Sequence, residues 1–229
     1  MMGAPRPAGV TPRPVSGACT RARIASHRLH TMKVSIILGH PTPGSFNHAI
    51  VATAEAALRA NGHDVITHDL YRERFDPVML SAESPKDAVL PPEIERHCQE
   101  IGEADGIILV HPNYWSAPPA ILRGWVDRVL RPGRAYNFVP DGQGGATPVG
   151  VLKASVGLVF TTANTPHEKE VALFGDPLEI HWLKVVFGLC GVRQTRRWDF
   201  SPVIVSTSAQ REGWLDEVRA AVAQYFPRH

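Results

Sequence analysis

The chain has 229 residues, 44% of them hydrophobic and 20% charged, with a formal net charge of +2; this is an ordinary globular composition with room for one domain or at most two. A near-neutral balance without a basic stripe argues against nucleic-acid binding, and no apolar run approaches the ~20 residues that cross a bilayer. Cys19, Cys98 and Cys190 are scattered, odd in number and without CxxC spacing, so neither a disulfide framework nor a zinc site is expected, and a reducing, cytoplasmic setting is.

Residues 1–31 read differently from the rest. They carry Arg6, Arg13, Arg21, Arg23 and Arg28, no acidic residue and no hydrophobic periodicity. The stretch lacks the apolar segment of a signal peptide and the clear amphipathic helix of a transit peptide. A disordered N-terminal extension over 1–31, followed by one domain over 32–229, is the expected organisation.

From Val34 the chain alternates short apolar runs with amphipathic stretches. Val34 to Leu38 reads as a strand; Ser45 can cap a helix with Ile50, Ala54 and Leu58 on one face, ended by Asn61-Gly62. Asp64 to Leu70 is a second strand, and a Pro-rich stretch then leads to a helix over 94–104. Gly106 to Val110 (GIILV) is a strand buried on both faces, and 118–130 a helix. A Gly/Pro-rich excursion over 131–150 precedes a fourth strand at 154–161, a helix at 178–190, a short fifth strand at 197–200 and a closing helix at 210–226. Strands this apolar, alternating with helices, predict an α/β fold: a five-stranded parallel sheet, covered on both faces.

In such an open sheet a ligand sits beyond the carboxyl ends of the strands, where the strand order reverses. That rule selects three segments, His40 to Asn47, His111 to Trp115, and Thr161 to Thr165. The first is a strand–loop–helix junction, whose free amides and dipole suit a phosphate, although Ser45 and Asn47 serve equally well as plain helix caps. It matches neither GxxxxGK[ST] nor GxGxxG. Tyr114 and Trp115 offer a flat apolar wall or simply plug the sheet edge. "FTTANTP" offers hydroxyls and backbone donors, or a capped turn. A phosphate cradle, an aromatic wall and a donor-rich loop on one edge together describe a flavin site.

Several motifs carry a resemblance: His40 and Ser45-Phe46-Asn47, "HDLY" at 68–71, Pro112 and Trp115, "PAILRGWVDRVL" at 119–130, "AYNF" at 135–138, Thr161-Thr162 and Gly175-Asp176. With them, the sequence resembles the NAD(P)H:quinone oxidoreductases of the flavodoxin-like superfamily, the DT-diaphorase-like group, over 33–226. The resemblance implies the flavodoxin-like strand order 2-1-3-4-5. It also implies a flavin cofactor, FAD with FMN as the alternative, and NAD(P)H as co-substrate. The reaction implied is two-electron, ping-pong reduction of quinone-like acceptors on flavin N5, by a homodimer with shared sites. His40, Ser45, Phe46 and Asn47 match the flavin-phosphate loop. Pro112, Asn113, Tyr114 and Trp115 match the segment along the ring, and Thr161, Thr162, Ala163 and Asn164 the loop at its pyrimidine edge. Arg211 matches a contact to the adenine half of FAD. Trp115, Ser116, Tyr136 and Phe138 fall at the substrate, the last pair reaching across the dimer. Trp115 and Asn164 support the chemistry, and no single catalytic side chain is assigned.

Two departures follow from the same comparison. Where relatives carry a Tyr and a His before the Gly-Asp pair, this chain has Glu168 and Phe174, leaving His167 as a candidate replacement. Ser116 stands where a Phe helps sandwich the substrate. Azo- or nitro-compound reduction is the neighbouring alternative. A flavodoxin-like electron carrier and a regulatory subunit of a potassium-efflux transporter are others. The eleven histidines show no ligand spacing, so no metal is expected.

Overall fold

The computed structural model describes residues 31–228; the extension expected over 1–31 lies outside them except for Thr31. The strands are β1 (Lys33–Leu38), β2 (Asp64–Asp69), β3 (Gly106–Pro112), β4 (Tyr136–Pro140), β5 (Ala146–Gly150), β6 (Val156–Thr162) and β7 (Gln194–Phe200). The helices are α1 (Phe46–Ala60), α2 (Pro92–Glu103), α3 (Ala120–Val129), α4 (His167–Phe174), α5 (Pro177–Glu179), α6 (Phe187–Cys190) and α7 (Ser208–Tyr225).

β3 and β6 are buried along their whole length, as their continuous apolar runs require. Successive side chains leave a strand on opposite faces, and β3 sorts its residues accordingly. Ile107 and Leu109 pack with Ile94, Cys98 and Ile101 of α2 and Leu122, Trp125 and Val129 of α3. Ile108 and Val110 pack with Ile50, Ala54 and Leu58 of α1 and Val218 and Val222 of α7. The sheet is five-stranded and parallel, in the order β2-β1-β3-β6-β7. Counting only the sheet's own strands, this is the arrangement expected; the numbers shift because two strands were not.

Those two, β4 and β5, form an antiparallel hairpin inside the 131–150 excursion, with Tyr136 opposite Gly150 and Pro140 opposite Ala146. The sequence marks the stretch only as a Gly/Pro-rich excursion, because its strands are largely exposed and show no in–out alternation. The turn holds them: the Asp141 carboxylate accepts from the amides of Gln143 at 2.8 Å and Gly145 at 3.0 Å. Gly150 then docks the hairpin, since a Cβ there would stand 2.1 Å from the backbone of Cys190.

Three further boundaries differ. α4 was not expected, and its Pro166 N-cap and Glu168 and Glu170 in the first turn are its local signals. The helix expected over 178–190 is α5 and α6 joined by a π-helical stretch, Ile180–Val186. β7 begins three residues earlier than expected, at Gln194.

The Pro-rich stretch before α2 is fastened to α3. Arg128 pairs with Glu83 at 2.6 Å, with both side chains at most 5% exposed, and Gly124 lets Pro77 lie against α3, where a Cβ would meet the Pro77 carbonyl at 2.2 Å.

Candidate functional site

The carboxyl ends of β1, β3 and β6 leave the sheet side by side, and their loops form one cleft. A cavity of about 270 Å³ is lined by His40, Ser45, Phe46 and Asn47 from the first loop, Pro112, Asn113 and Tyr114 from the second, and Thr162, Ala163 and Asn164 from the third. Val203 and Arg211 close it. A second cavity of about 800 Å³ shares Asn113, Tyr114, Ala163 and Asn164 and continues to Trp115, Ser116, Thr165, Glu170, Phe174 and Pro177.

The first loop turns through Gly44, at φ +70° with open space beside it, so the backbone is free to approach a ligand. Ser45 is the N-cap of α1, yet its hydroxyl does not cap the helix. It lies 2.8 Å from His48 Nδ1, whose Nε2 stands 3.2 Å from Asp69. The amides of Phe46 and Asn47 open α1 without a partner in the helix, as at any helix start, while that of His48 already donates to the Ser45 carbonyl at 3.0 Å. The amide of Thr42 donates to His40 Nδ1 at 3.1 Å. The same ring nitrogen lies 3.2 Å from the Thr42 carbonyl, and burial holds the His40 pKa below its ordinary value.

Asn47 links the first and third loops. Its Nδ2 donates to the Thr162 hydroxyl at 2.9 Å. The residue is 2% exposed, and its Oδ1 has no hydrogen-bond partner among the described residues. A buried acceptor left open at a cleft wall is costly unless a ligand donates to it.

The second loop is a tight turn in which Tyr114 and Ala117 bond to each other's backbone at 3.0 and 3.1 Å. Trp115 and Ser116 between them have φ of +58° and +55°, and Trp115 is fully exposed. Glu170, early in α4, fastens this turn. Its carboxylate accepts from the Ser116 hydroxyl in a short contact and from Asn113 Nδ2 at 3.3 Å.

In the third loop the Ala163 amide is committed to the Phe200 carbonyl at 3.1 Å, and the Asn164 side chain accepts from the amide of Ile204 at 3.1 Å. Arg211 donates to the Ser206 hydroxyl at 2.8 Å and the Val203 carbonyl at 3.2 Å, with its guanidinium over the Phe46 ring. A cation thus stands fixed beside the start of α1.

Most residues anticipated from sequence meet in this cleft, and five line neither cavity: Thr161, Tyr136, Phe138, His167 and Glu168. Thr161 is wholly buried, its hydroxyl bonded to Trp198, Asp199 and Arg197, and lines neither cavity. Tyr136 and Phe138 lie on the hairpin, edge to face at 5.6 Å, and line neither cavity either. His167 stands 3.7 Å from Asp199, and Glu168 is exposed. Glu170, Val203 and Pro177 were missed; nothing in sequence separates Glu170 from any acidic residue opening a helix.

Away from the cleft, His68, Glu73 and His97 bring ligand-type atoms within 4.8 Å of one another. Trp125 Nε1–H donates to His97 Nδ1 at 3.2 Å, so in the neutral ring Nε2 carries the proton and is not free to ligate. His68 lies between Glu73 at 3.0 Å and Glu100 at 2.6 Å. Burial opposes its charge, but its bonds to Glu73 and the charges of both carboxylates outweigh this and raise its pKa. His111, at the foot of the second loop, is the opposite case. Burial brings its pKa down to about 4, and the neutral ring lies 2.8 Å from both the Pro112 carbonyl and Trp182 Nε1–H.

A family model described as a flavodoxin-like fold matches residues 32–225. An uncharacterized NAD(P)H oxidoreductase of Haemophilus influenzae is 34% identical over 185 residues, 79% of this chain and 89% of that protein. NAD(P)H dehydrogenase [quinone] 1 of Cavia porcellus is 34% identical over 122 residues, 45% of this chain; the match spans only 44% of that relative's length. Among solved structures, Smu.1420 from Streptococcus mutans superposes with a TM-score of 0.74 at 28% identity, covering 84% of this chain and all of that one.

Proposed function

The chain belongs to the flavodoxin-like NAD(P)H:quinone oxidoreductase family, and from that premise we propose that it is a flavin-dependent NAD(P)H oxidoreductase that reduces quinones by two-electron, ping-pong transfer. One observation supports this most directly. The residues lining the cleft bring together a helix start with a fixed cation, an exposed aromatic, and the buried Oδ1 of Asn47, unpaired among the described residues.

That donor set fits a flavin. The amides of Phe46 and Asn47 at the start of α1 and the Arg211 guanidinium are suited to hold its phosphate charge, with the Ser45 hydroxyl, now on His48, beside them, and Asn47 Oδ1 to accept from a ribityl hydroxyl. When bound, the flavin supplies two-electron transfer between NAD(P)H and the quinone. The protein's part is position and electrostatics. The amides of Asn164 and Thr165 are what the third loop offers to the carbonyl edge of the ring; that of Ala163 is already used. Trp115 forms one wall of the slot that nicotinamide and quinone occupy in turn. FAD is proposed over FMN because Arg211, the match to a contact on the adenine half, lines the cleft with its guanidinium over the Phe46 ring.

We read the active form as a homodimer. Tyr136 and Phe138 line neither cavity of their own cleft, and Phe138, Val139 and Val149 leave an exposed apolar surface on the hairpin. A second copy would bring these aromatics over the site.

The purified full-length chain should be yellow, release FAD on denaturation and elute at the mass of two chains. Double-reciprocal plots of NAD(P)H against benzoquinone should be parallel. A colourless protein that takes up neither flavin, or intersecting plots, would overturn the reading.

A further inference from the structure

The cleft is electrically lopsided. Arg211, a fixed cation, stands at the end assigned to phosphate. Among the described residues lining the larger cavity, Glu170 alone carries a charge. It is 8% exposed, and both of its hydrogen-bond donors, Ser116 and Asn113, are neutral. Its helix neighbours Glu168 and Lys169 are exposed and line neither cavity. The carboxylate is therefore fixed at the wall of the space where an acceptor would lie, with no cation lining that space to offset it.

We propose that Glu170 is a specificity-determining residue that excludes anionic acceptors, so that the substrates are uncharged quinones rather than those carrying carboxylate or sulfonate groups. The inference rests on the quinone-reductase reading above. In a partly desolvated cleft a like charge is weakly screened and repels strongly. Discrimination by an unfavourable charge, rather than by an added contact, is a common device of specificity. Glu170 also clamps the strained turn of Trp115 and Ser116. That clamp acts on every acceptor alike, whereas its charge acts on anions only, so the two roles separate experimentally.

Substituting Glu170→Gln keeps an acceptor for the Ser116 hydroxyl and removes the charge. With the flavin-loaded full chain, kcat/KM is measured for a neutral naphthoquinone and for its sulfonate. The sulfonate-to-neutral ratio is expected to rise about tenfold in E170Q, whatever happens to either absolute rate. Dissociation constants of the same pair, read by quenching of tryptophan emission, should move in the same sense. Should E170Q fail to fold, Glu170→Met, which also removes the charge, decides by the same ratio. A ratio unchanged by removal of the charge overturns the proposal. Loss of reduction of both quinones by the wild-type protein would instead bring down the functional reading and this inference with it.

Discussion

The side-chain amide of Asn47, at the start of α1, donates to the hydroxyl of Thr162, at the end of β6, over 2.9 Å. This bond between residues far apart in sequence ties two of the three loops of the cleft together, and it leaves Asn47 Oδ1 open to a ligand. Asn47→Ala removes both functions. A lost hydrogen bond to a buried partner costs about 1–3 kcal/mol, so flavin affinity should fall by about tenfold or more. Fluorescence titration of the apoprotein checks this; unchanged affinity would exclude a role for Asn47 in holding the cofactor.

The His68 cluster makes stability depend on pH in a definite direction. His68 has a raised pKa, so its contribution is full below its ordinary 6.5 and fades as pH rises through the folded value. Glu73 opposes its own burial through bonds to His68 and His97 and is brought down to about 2, so its contribution is full above its ordinary 4.5 and fades as pH falls toward that value. Both are complete between these limits. His68→Gln should therefore lower Tm most between pH 4.5 and 6.5, by on the order of 4–8 °C for about 2 kcal/mol. The gap to wild type should narrow on the alkaline side. A gap that widens above neutral pH would contradict the assignment of His68 as the charged partner.

The sheet was legible because its physics is local. The runs at 34–38 and 106–110 need burial on both faces, and the rule relating strand ends to ligands then brings His40, Asn113 and Thr162 together without a motif. The hairpin was not legible, because β4 and β5 lie outside the core and owe their pairing to one turn at Asp141 and to the docking of Gly150 on Cys190. Nor was Glu170 legible. Its burial depends on Ser116, a residue 54 positions earlier in the chain, and no periodicity reports such a contact. The interruption of the 178–190 helix is similar: its apolar positions suit an α-helix, but within the π-helical stretch Trp182 is fully buried and bonded to His111 across the fold.

Glu83 and Arg128 form an ion pair with almost no access to water, and Arg128 also donates to the Asp76 carbonyl at 2.5 Å. Removing one member strands the other's charge. Glu83→Ala should thus cost about 3–5 kcal/mol, measured by urea unfolding, although the pair is remote from the cleft. Replacing both by apolar residues, Glu83→Leu with Arg128→Met, should recover most of that loss. A double variant no more stable than either single one would show that the pair's worth lies in more than charge compensation.

Trp115 separates stability from activity. It sits at φ +58°, in the left-handed region that costs a residue with a side chain roughly 1–2 kcal/mol, and being fully exposed it gains no burial in return. Trp115→Gly relieves the backbone and should raise Tm by about 2–4 °C. Trp115→Ala keeps the strained conformation and should leave Tm nearly unchanged. If the indole is the wall against which nicotinamide stacks, both variants should slow flavin reduction by NAD(P)H in stopped-flow measurements, by about tenfold. A glycine variant that is more stable and just as fast would show that the tryptophan has no part in the reaction; one that is less stable would mean that the indole is buried in the assembled dimer.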